Sequence, residues 1–363
     1  DSVYSDSKAI YLVGGGDPDL TLDQLDSLAT ITANKNPSGK RLVIDDSILD
    51  TLVYGPGWMW DEGDEWYSAQ ISGLSVNDNC IDFIVSPAIN GKLVNIQVQP
   101  ESGYYSFYNE AYTVNDTTDF KKLDISRDWK NKNNSFMITG SVLDTTSSDT
   151  ILRNVHDPTL FTGYLFKEML EKKGLFISGL EKGNLSLRSS KIASHKSSSL
   201  ISIVENLMVE SDNLTAELLV KTIGNHTTGL QGNWKNGLHA MRLFLNDEVG
   251  MDTTSFSISD GSGVSRYNYS SASHFIELLS WIYNTSNIRD IYLRTLSYTG
   301  ENGTLLDRNL PDGIYAKTGS LSGVSTFSGY IIHPSKDPIA FSILMNGYNC
   351  LLYTSDAADD WSS

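Results

Sequence analysis

Residues 313–333 read GIYAKTGSLSGVSTFSGYIIH. An apolar segment leads into Lys317-Thr318-Gly319, Ser320 follows, and after Gly323 a second segment runs back to His333-Pro334-Ser335-Lys336-Asp337. Apolar runs punctuated by glycine and proline turns predict strands. The span Gly313–Met345 is therefore expected to form a three-stranded antiparallel meander. An edge strand that presents a lysine, a hydroxyl and a side-chain-free glycine can hold a substrate carboxylate, and the glycine lets a substrate backbone approach closely. Alone, the tripeptide is a weak signal, because a strand end with a turn glycine reads the same way.

About a hundred residues upstream, Ser211-Asp212-Asn213 follows one helical run, ISIVENLMVES, and opens another, LTAELLVKTIG. Ser211 or Asp212 would also serve there as a plain N-cap. Ser75-Val76-Asn77 has the same form but lies in a turn-rich loop and is read as chance. Ser-x-x-Lys occurs once, at Ser5-Asp6-Ser7-Lys8. A lysine that deprotonates a serine must sit one helical turn away on the same helix face. Lys8 leads straight into the strand AIYLV, where positions three apart point to opposite faces. This copy is read as a chance match in a frayed terminus.

Working further out, FTGYLFKEMLEKKG and WKNGLHAMRLFLNDEVG carry apolar residues at helical spacing, so the chain from Asp157 onward turns helical. Residues 81–150 alternate apolar and polar between many turns and predict a small all-β unit. The first 50 residues read β-α-β: AIYLV, a helix with Leu22, Leu25 and Leu28 on one face, and Arg41-Leu42-Val43-Ile44. Gly14-Gly15-Gly16 between them invites a dinucleotide site, with Asp45 or Asp46 as the ribose acid. The fingerprint needs a third glycine where Asp19 stands, and Pro18 interrupts the helix start, so a tight turn is favoured. Residues 54–66, YGPGWMWDEGDEW, form an aromatic, acidic loop; Trp58, Trp60, Asp61, Glu62 and Asp64 are read as a solvated loop with packed tryptophans rather than a sugar or cation site. The six histidines show no ligand spacing, so no metal and no cofactor is expected. Cys80 and Cys350 are read as unpaired thiols. The tail 350–363, CLLYTSDAADDWSS, looks non-native and is left out of the fold.

With 363 residues the chain is long enough for two or three domains. A net charge of −17 argues against nucleic acid as a partner and against adsorption to an anionic membrane. No run of about 18 apolar residues exists, so no transmembrane segment is expected.

With both motifs placed, the chain from about residue 8 to 348 resembles the class C, low-molecular-mass penicillin-binding proteins, the D-Ala-D-Ala carboxypeptidases/endopeptidases. YLVGGGDPDL, GPGWMW and YSAQISGLSVNDN look like the family's inserted region; HKSSSL, Ser211-Asp212-Asn213, DGSGVSR (260–266) and AKTGSLSGV look like its catalytic domain. The resemblance implies an α/β multidomain chain: a penicillin-binding, transpeptidase-like (β-lactamase-like) α+β domain with an antiparallel sheet and helices, plus inserted α/β and small all-β domains. It places an inserted α/β domain at 1–80, a β-rich inserted domain at 81–150 and the C-terminal part of the catalytic domain at 151–349. It also implies that the chain begins inside the insertion, after the Ser-x-x-Lys helix, so that the nucleophile lies outside it. Ser211, Asn213 and Lys317 would be catalytic and Thr318, Gly319 and Ser320 substrate-binding. The partners implied are peptidoglycan stem peptides, with β-lactams as inhibitors, in the periplasm or outside the cell. Two other readings stand beside it: an inactive wall-peptide-binding relative and a nucleotide-binding α/β enzyme.

Overall fold

The computed structural model describes residues 1–348, which form two compact units. The first comprises 1–54, 59–197 and 230–233; the second comprises 55–58, 198–229 and the chain from 234 onward. Cys350 and the tail lie outside the described residues.

The first unit opens with β1 (Ser2–Ser5), β2 (Ala9–Val13), α1 (Leu22–Lys35) and β3 (Arg41–Asp45). Four consecutive residues of β2, Ala9 to Leu12, are buried, as expected for a strand covered on both faces. Helix α1 starts at a capping box, in which Thr21 accepts from the Gln24 amide and Gln24 accepts from the Thr21 amide. It ends where Asn36 turns left-handed. Leu25, Leu28 and Ala29 form its buried stripe.

Next come β4 (Cys80–Ser86), β5 (Asn95–Gln99), β6 (Ser106–Asn109), β7 (Tyr112–Val114), β8 (Asp124–Arg127), β9 (Ser135–Thr139), β10 (Ser141–Leu143) and β11 (Asp149–Asn154). They pair as β11-β4-β5, β6-β9-β8 and β10-β7. Then follow α2 (Pro158–Lys172), β12 (Gly179–Lys182) and β13 (Ser190–Ser194).

Three expectations change here. The terminus is not frayed: β1 pairs with β2 on one side and β13 on the other, within the sheet order β12-β3-β2-β1-β13, and Val3 is fully buried. Asp6 ties the β1–β2 turn by accepting from the Lys8 and Ala9 amides and from the Tyr11 hydroxyl, at 2.8–2.9 Å. Ser5 and Lys8 therefore stand in a β-hairpin, not a helix, and the start of the chain is β-β-α-β. Second, one apolar core joins Ile10, Leu12 and Ile44 to Phe83 and Phe136 of the small sheets, so no break in packing falls at 80/81. Third, α2, β12 and β13 belong to this unit, which moves the limit expected at 150/151 to 197/198. Strands such as GLEK and SKIAS carry no apolar pattern of their own, and pairing partners are not encoded in a local period.

The dinucleotide reading is overturned. The Gly14 amide donates to the Asp45 carbonyl (2.8 Å), Gly15 to the Asp1 carboxylate (2.7 Å) and Gly16 to the Gly73 carbonyl (2.9 Å), so all three are spent inside the fold. Helix α1 begins only at Leu22. Asp45 accepts from the Ser47 and Leu185 amides, and Asp46 from the Thr159 hydroxyl. Ser75-Val76-Asn77 is likewise structural: Ser75 is buried and donates to the Ser72 carbonyl, and Asn77 donates to Cys80 and Asp82. Cys80 is buried in the core at the start of β4.

The second unit contains α3 (Leu200–Glu210), α4 (Asn213–Thr228), α5 (Trp234–Phe244), α6 (Ala272–Asn284), α7 (Ser286–Thr295), β14 (Ser297–Tyr298), β15 (Ile314–Leu321), β16 (Val324–Ile331) and β17 (Ile339–Asn346). The expected meander is present: β14-β15-β16-β17 is antiparallel throughout and includes no strand of the first unit. On one face, Tyr330 packs with Leu279 and Leu296 among the helices. On the other, Ile314 and Ala316 pack with Leu305, Phe327 and Phe341. Ile339, Ile343 and Met345 of β17, the last strand among the described residues, are more than half exposed.

Candidate active site

Helix α3 ends at Ser211, which adopts the left-handed conformation (φ 62°) and closes the helix with its amide on the Leu207 carbonyl. Asp212 then caps α4: its carboxylate accepts from the Leu214 amide (2.9 Å) and the Thr215 amide (3.3 Å). The capping duty thus falls to Asp212, which leaves the Ser211 hydroxyl for other work. Asn213 is the first residue of α4.

Lys317 lies on β15. Its Nζ donates to Ser211 Oγ at 2.5 Å and to the Thr318 carbonyl at 2.9 Å. Two groups 106 positions apart in sequence meet in one hydrogen bond. A hydroxyl that accepts from an ammonium keeps its own proton to donate, so Ser211 can pass a proton while Lys317 offsets negative charge beside it.

The neighbouring residues divide. Gly319 is required by its own strand pair, because a Cβ there would stand 2.6 Å from Thr326 Oγ1. Ser320 is exposed. Thr318 is not presented with Lys317: it is 7% exposed, and its hydroxyl donates to Thr304 Oγ1 at 2.7 Å. Successive residues of a strand point to opposite faces. The hydroxyl expected to hold a carboxylate at Thr318 is thus engaged with Thr304, and Ser320, exposed, lies on the same strand face as Thr318 rather than that of Lys317.

Behind α4 lies a network the motif reading did not single out. Glu217 is completely buried and accepts from Trp234 Nε1 (2.6 Å), the Gly261 and Ser262 amides (both 2.9 Å) and Ser262 Oγ (2.6 Å). Asp260 accepts from Trp58 Nε1 (3.0 Å), the Gly263 amide (3.0 Å) and Asn268 Nδ2 (2.7 Å). Burial, and then the nearby Asp260, push the Glu217 carboxyl above its ordinary range. Glu217 thus clamps loop 260–266 onto α4, and Asp260 ties the loop to itself and to Trp58. At the end of that loop Arg266 donates to the Ser322 carbonyl (3.1 Å), in the turn after the lysine strand. Lys221 is also fully buried, its Nζ 3.8 Å from the centre of the Trp234 ring. A carboxylate set between apolar residues of a helix, as in LTAELLV, was the signal available for Glu217.

Among the described residues, no group of three His, Cys, Asp or Glu side chains could hold a metal ion. No helix among them places a lysine one turn after a serine.

A profile of the D-Ala-D-Ala carboxypeptidase 3 (S13) family matches residues 4–361. A D-alanyl-D-alanine carboxypeptidase of Actinomadura sp. (strain R39) is 33% identical over 366 residues, covering 94% of this chain and 66% of that protein. D-alanyl-D-alanine carboxypeptidase DacB of Haemophilus influenzae is 24% identical and covers 92% of this chain. The chain spans 71% of that second relative's length. In fold, the crystal structure of penicillin binding protein 4 (dacB) from Haemophilus influenzae superposes with a TM-score of 0.80 at 22% identity, covering 98% of this chain and 81% of that one.

Proposed function

The chain belongs to the D-Ala-D-Ala carboxypeptidase 3 (S13) family, and from that premise we propose that it carries the recognition and proton-relay part of a serine-type D-Ala-D-Ala carboxypeptidase/endopeptidase site for peptidoglycan stem peptides. The observation that carries this reading is the 2.5 Å contact between Lys317 Nζ and Ser211 Oγ. In the reaction a nucleophilic serine adds to the D-Ala-D-Ala carbonyl, the C–N bond breaks, and water later releases the acyl group. Ser211 carries the proton toward the leaving amine. Lys317 supplies positive potential to the substrate carboxylate, and Asn213 hydrogen-bonds the substrate amide. Gly319, on the same strand face as Lys317, gives the substrate backbone room. The Ser320 amide supplies half of an oxyanion hole, worth roughly 3 kcal/mol. β-Lactams occupy the same place as acylating inhibitors. A stem peptide is reached in the periplasm or outside the cell. No helix among the described residues is long and apolar enough to cross a membrane.

A second reading, a wall-peptide-binding module without turnover, is favoured by one observation: Ser5 and Lys8 sit in a β-hairpin rather than on a helix. Titration with a D-Ala-D-Ala-terminated peptide, alongside labelled penicillin read by mass spectrometry, tests both. The chain should bind the peptide without taking up penicillin, and Lys317→Ala should weaken binding by about tenfold or more. Equal binding by wild type, Lys317→Ala and Ser211→Ala sinks the site. A penicillin adduct on a serine of this chain removes the need for a nucleophile supplied from elsewhere.

A further inference from the structure

We propose that the outer face of β6-β9-β8, in the first unit, is a binding cleft for a glycan strand, a neutral β-1,4-linked amino-sugar polymer. The choice of occupant rests on the stem-peptide reading above, because stem peptides hang from such strands.

The three strands frame a cavity of about 440 Å³, within the range of small-ligand sites. Its rungs are set by register. Tyr108 lies opposite Met137, and Met137 opposite Ser126. One rung over, Ser106 lies opposite Ser135, with their hydroxyls 3.2 Å apart. Tyr108 is 61% exposed and Met137 41%. At the end of the cleft, Asp128 is fixed by Asn131 Nδ2 (3.0 Å) and Asn133 Nδ2 (2.7 Å). These bonds hold its carboxyl below the usual range, so it is a charged acceptor of set orientation. The next residue, Trp129, carries Trp60 at 5.7 Å between ring centres, and Trp60 is 73% exposed.

This combination suits a saccharide. Aromatic rings and a methionine offer flat apolar surface to sugar C–H faces, while hydroxyls and one oriented carboxylate take up ring hydroxyl and acetamido groups. The chain's net charge of −17 disfavours long-range attraction of an anionic polymer and leaves a neutral one acceptable.

The test is calorimetric titration with a hexamer of β-1,4-linked N-acetylglucosamine, using wild type, Tyr108→Ala, Tyr108→Phe and Trp60→Ala. Both positions are exposed, so the variants should fold. The hexamer should bind, Tyr108→Ala and Trp60→Ala should each bind about tenfold more weakly, and Tyr108→Phe should retain binding. All four should bind the D-Ala-D-Ala peptide alike. No hexamer binding, or equal binding by every variant, overturns the cleft. A sugar-free stem peptide that displaces the hexamer overturns it too, in favour of a peptide groove on the open β6 edge. Hexamer binding that obeys the variants while the D-Ala-D-Ala peptide fails to bind leaves the cleft standing and removes the stem-peptide reading.

Discussion

Ser211 owes its freedom to Asp212. A non-glycine residue in the left-handed region costs on the order of 1 kcal/mol, and Ser211 is held there by the two helices it separates. Replacing the cap, Asp212→Ala, should lower stability by about 1 kcal/mol in urea unfolding. It should also weaken D-Ala-D-Ala peptide binding, because the turn that aims Ser211 at Lys317 relaxes. Unchanged binding would mean that the turn holds without its cap. Glu217 makes a pH prediction of definite sign. Its carboxyl is raised in the folded protein above its ordinary value of 4.5, so the folded state holds the proton more tightly than the unfolded chain. The stability this contributes is complete below about pH 4.5 and is lost as pH rises through the folded-state value. The advantage of wild type over Glu217→Gln in urea midpoint should therefore narrow from pH 4 upward; a widening advantage would show that the four donors around the carboxylate outweigh its burial. Lys317 and Ser211 were legible because a motif is a local string. The Trp58–Asp260 bond was not, since its two members are 202 positions apart and no local period connects them.

Elements show where reading the chain succeeds and where it stops. The meander at 313–345 was legible because both turns are marked, by glycine and by proline, and because the strands between them have lengths that antiparallel neighbours share. The helical spacing of Leu22, Leu25 and Leu28 made α1 legible in the same way, whereas its cap at Thr21 became visible only in the structure. Assignment of α2 to the first unit was not legible, because an amphipathic helix states that it covers something without stating what. The α4–α5 contact shows the cost of such packing. A Cβ on Gly237 would stand 1.9 Å from the Val220 carbonyl oxygen, so the two helices approach backbone to side at this point. Gly237→Ala should cost about 1–3 kcal/mol, seen as a lower thermal midpoint. It should do so without altering the hexamer binding proposed for the first unit, which separates helix packing from general misfolding. A thermal midpoint equal to wild type would mean that α5 shifts without penalty.

At the scale of the molecule, the two units differ in how completely they are covered. In the first, one face of the five-stranded sheet packs on helices α1 and α2 and the shared core, and Ala9, Tyr11 and Val43 of the other face are buried in a cluster of their own. In the second, β17 turns Ile339, Ile343 and Met345 outward, and Ile339–Asn346 contains neither proline nor a charged residue to blunt pairing with another strand. Among the described residues, β17 is therefore an apolar edge on a chain of high net charge, and self-association through it is the expected outcome when that charge is screened. The charge of −17 keeps copies apart in dilute buffer, but that repulsion reaches only about 10 Å at 0.1 M salt and about 3 Å at 1 M. Light scattering should report single particles at low ionic strength and growing ones as sodium chloride is added. A lysine in this edge, Ile343→Lys, should keep the particles single throughout. Growth that ignores salt, or that persists in Ile343→Lys, would place the adhesion elsewhere. Purification that begins in high salt should accordingly lose material that the same chain, handled in dilute buffer, would keep in solution.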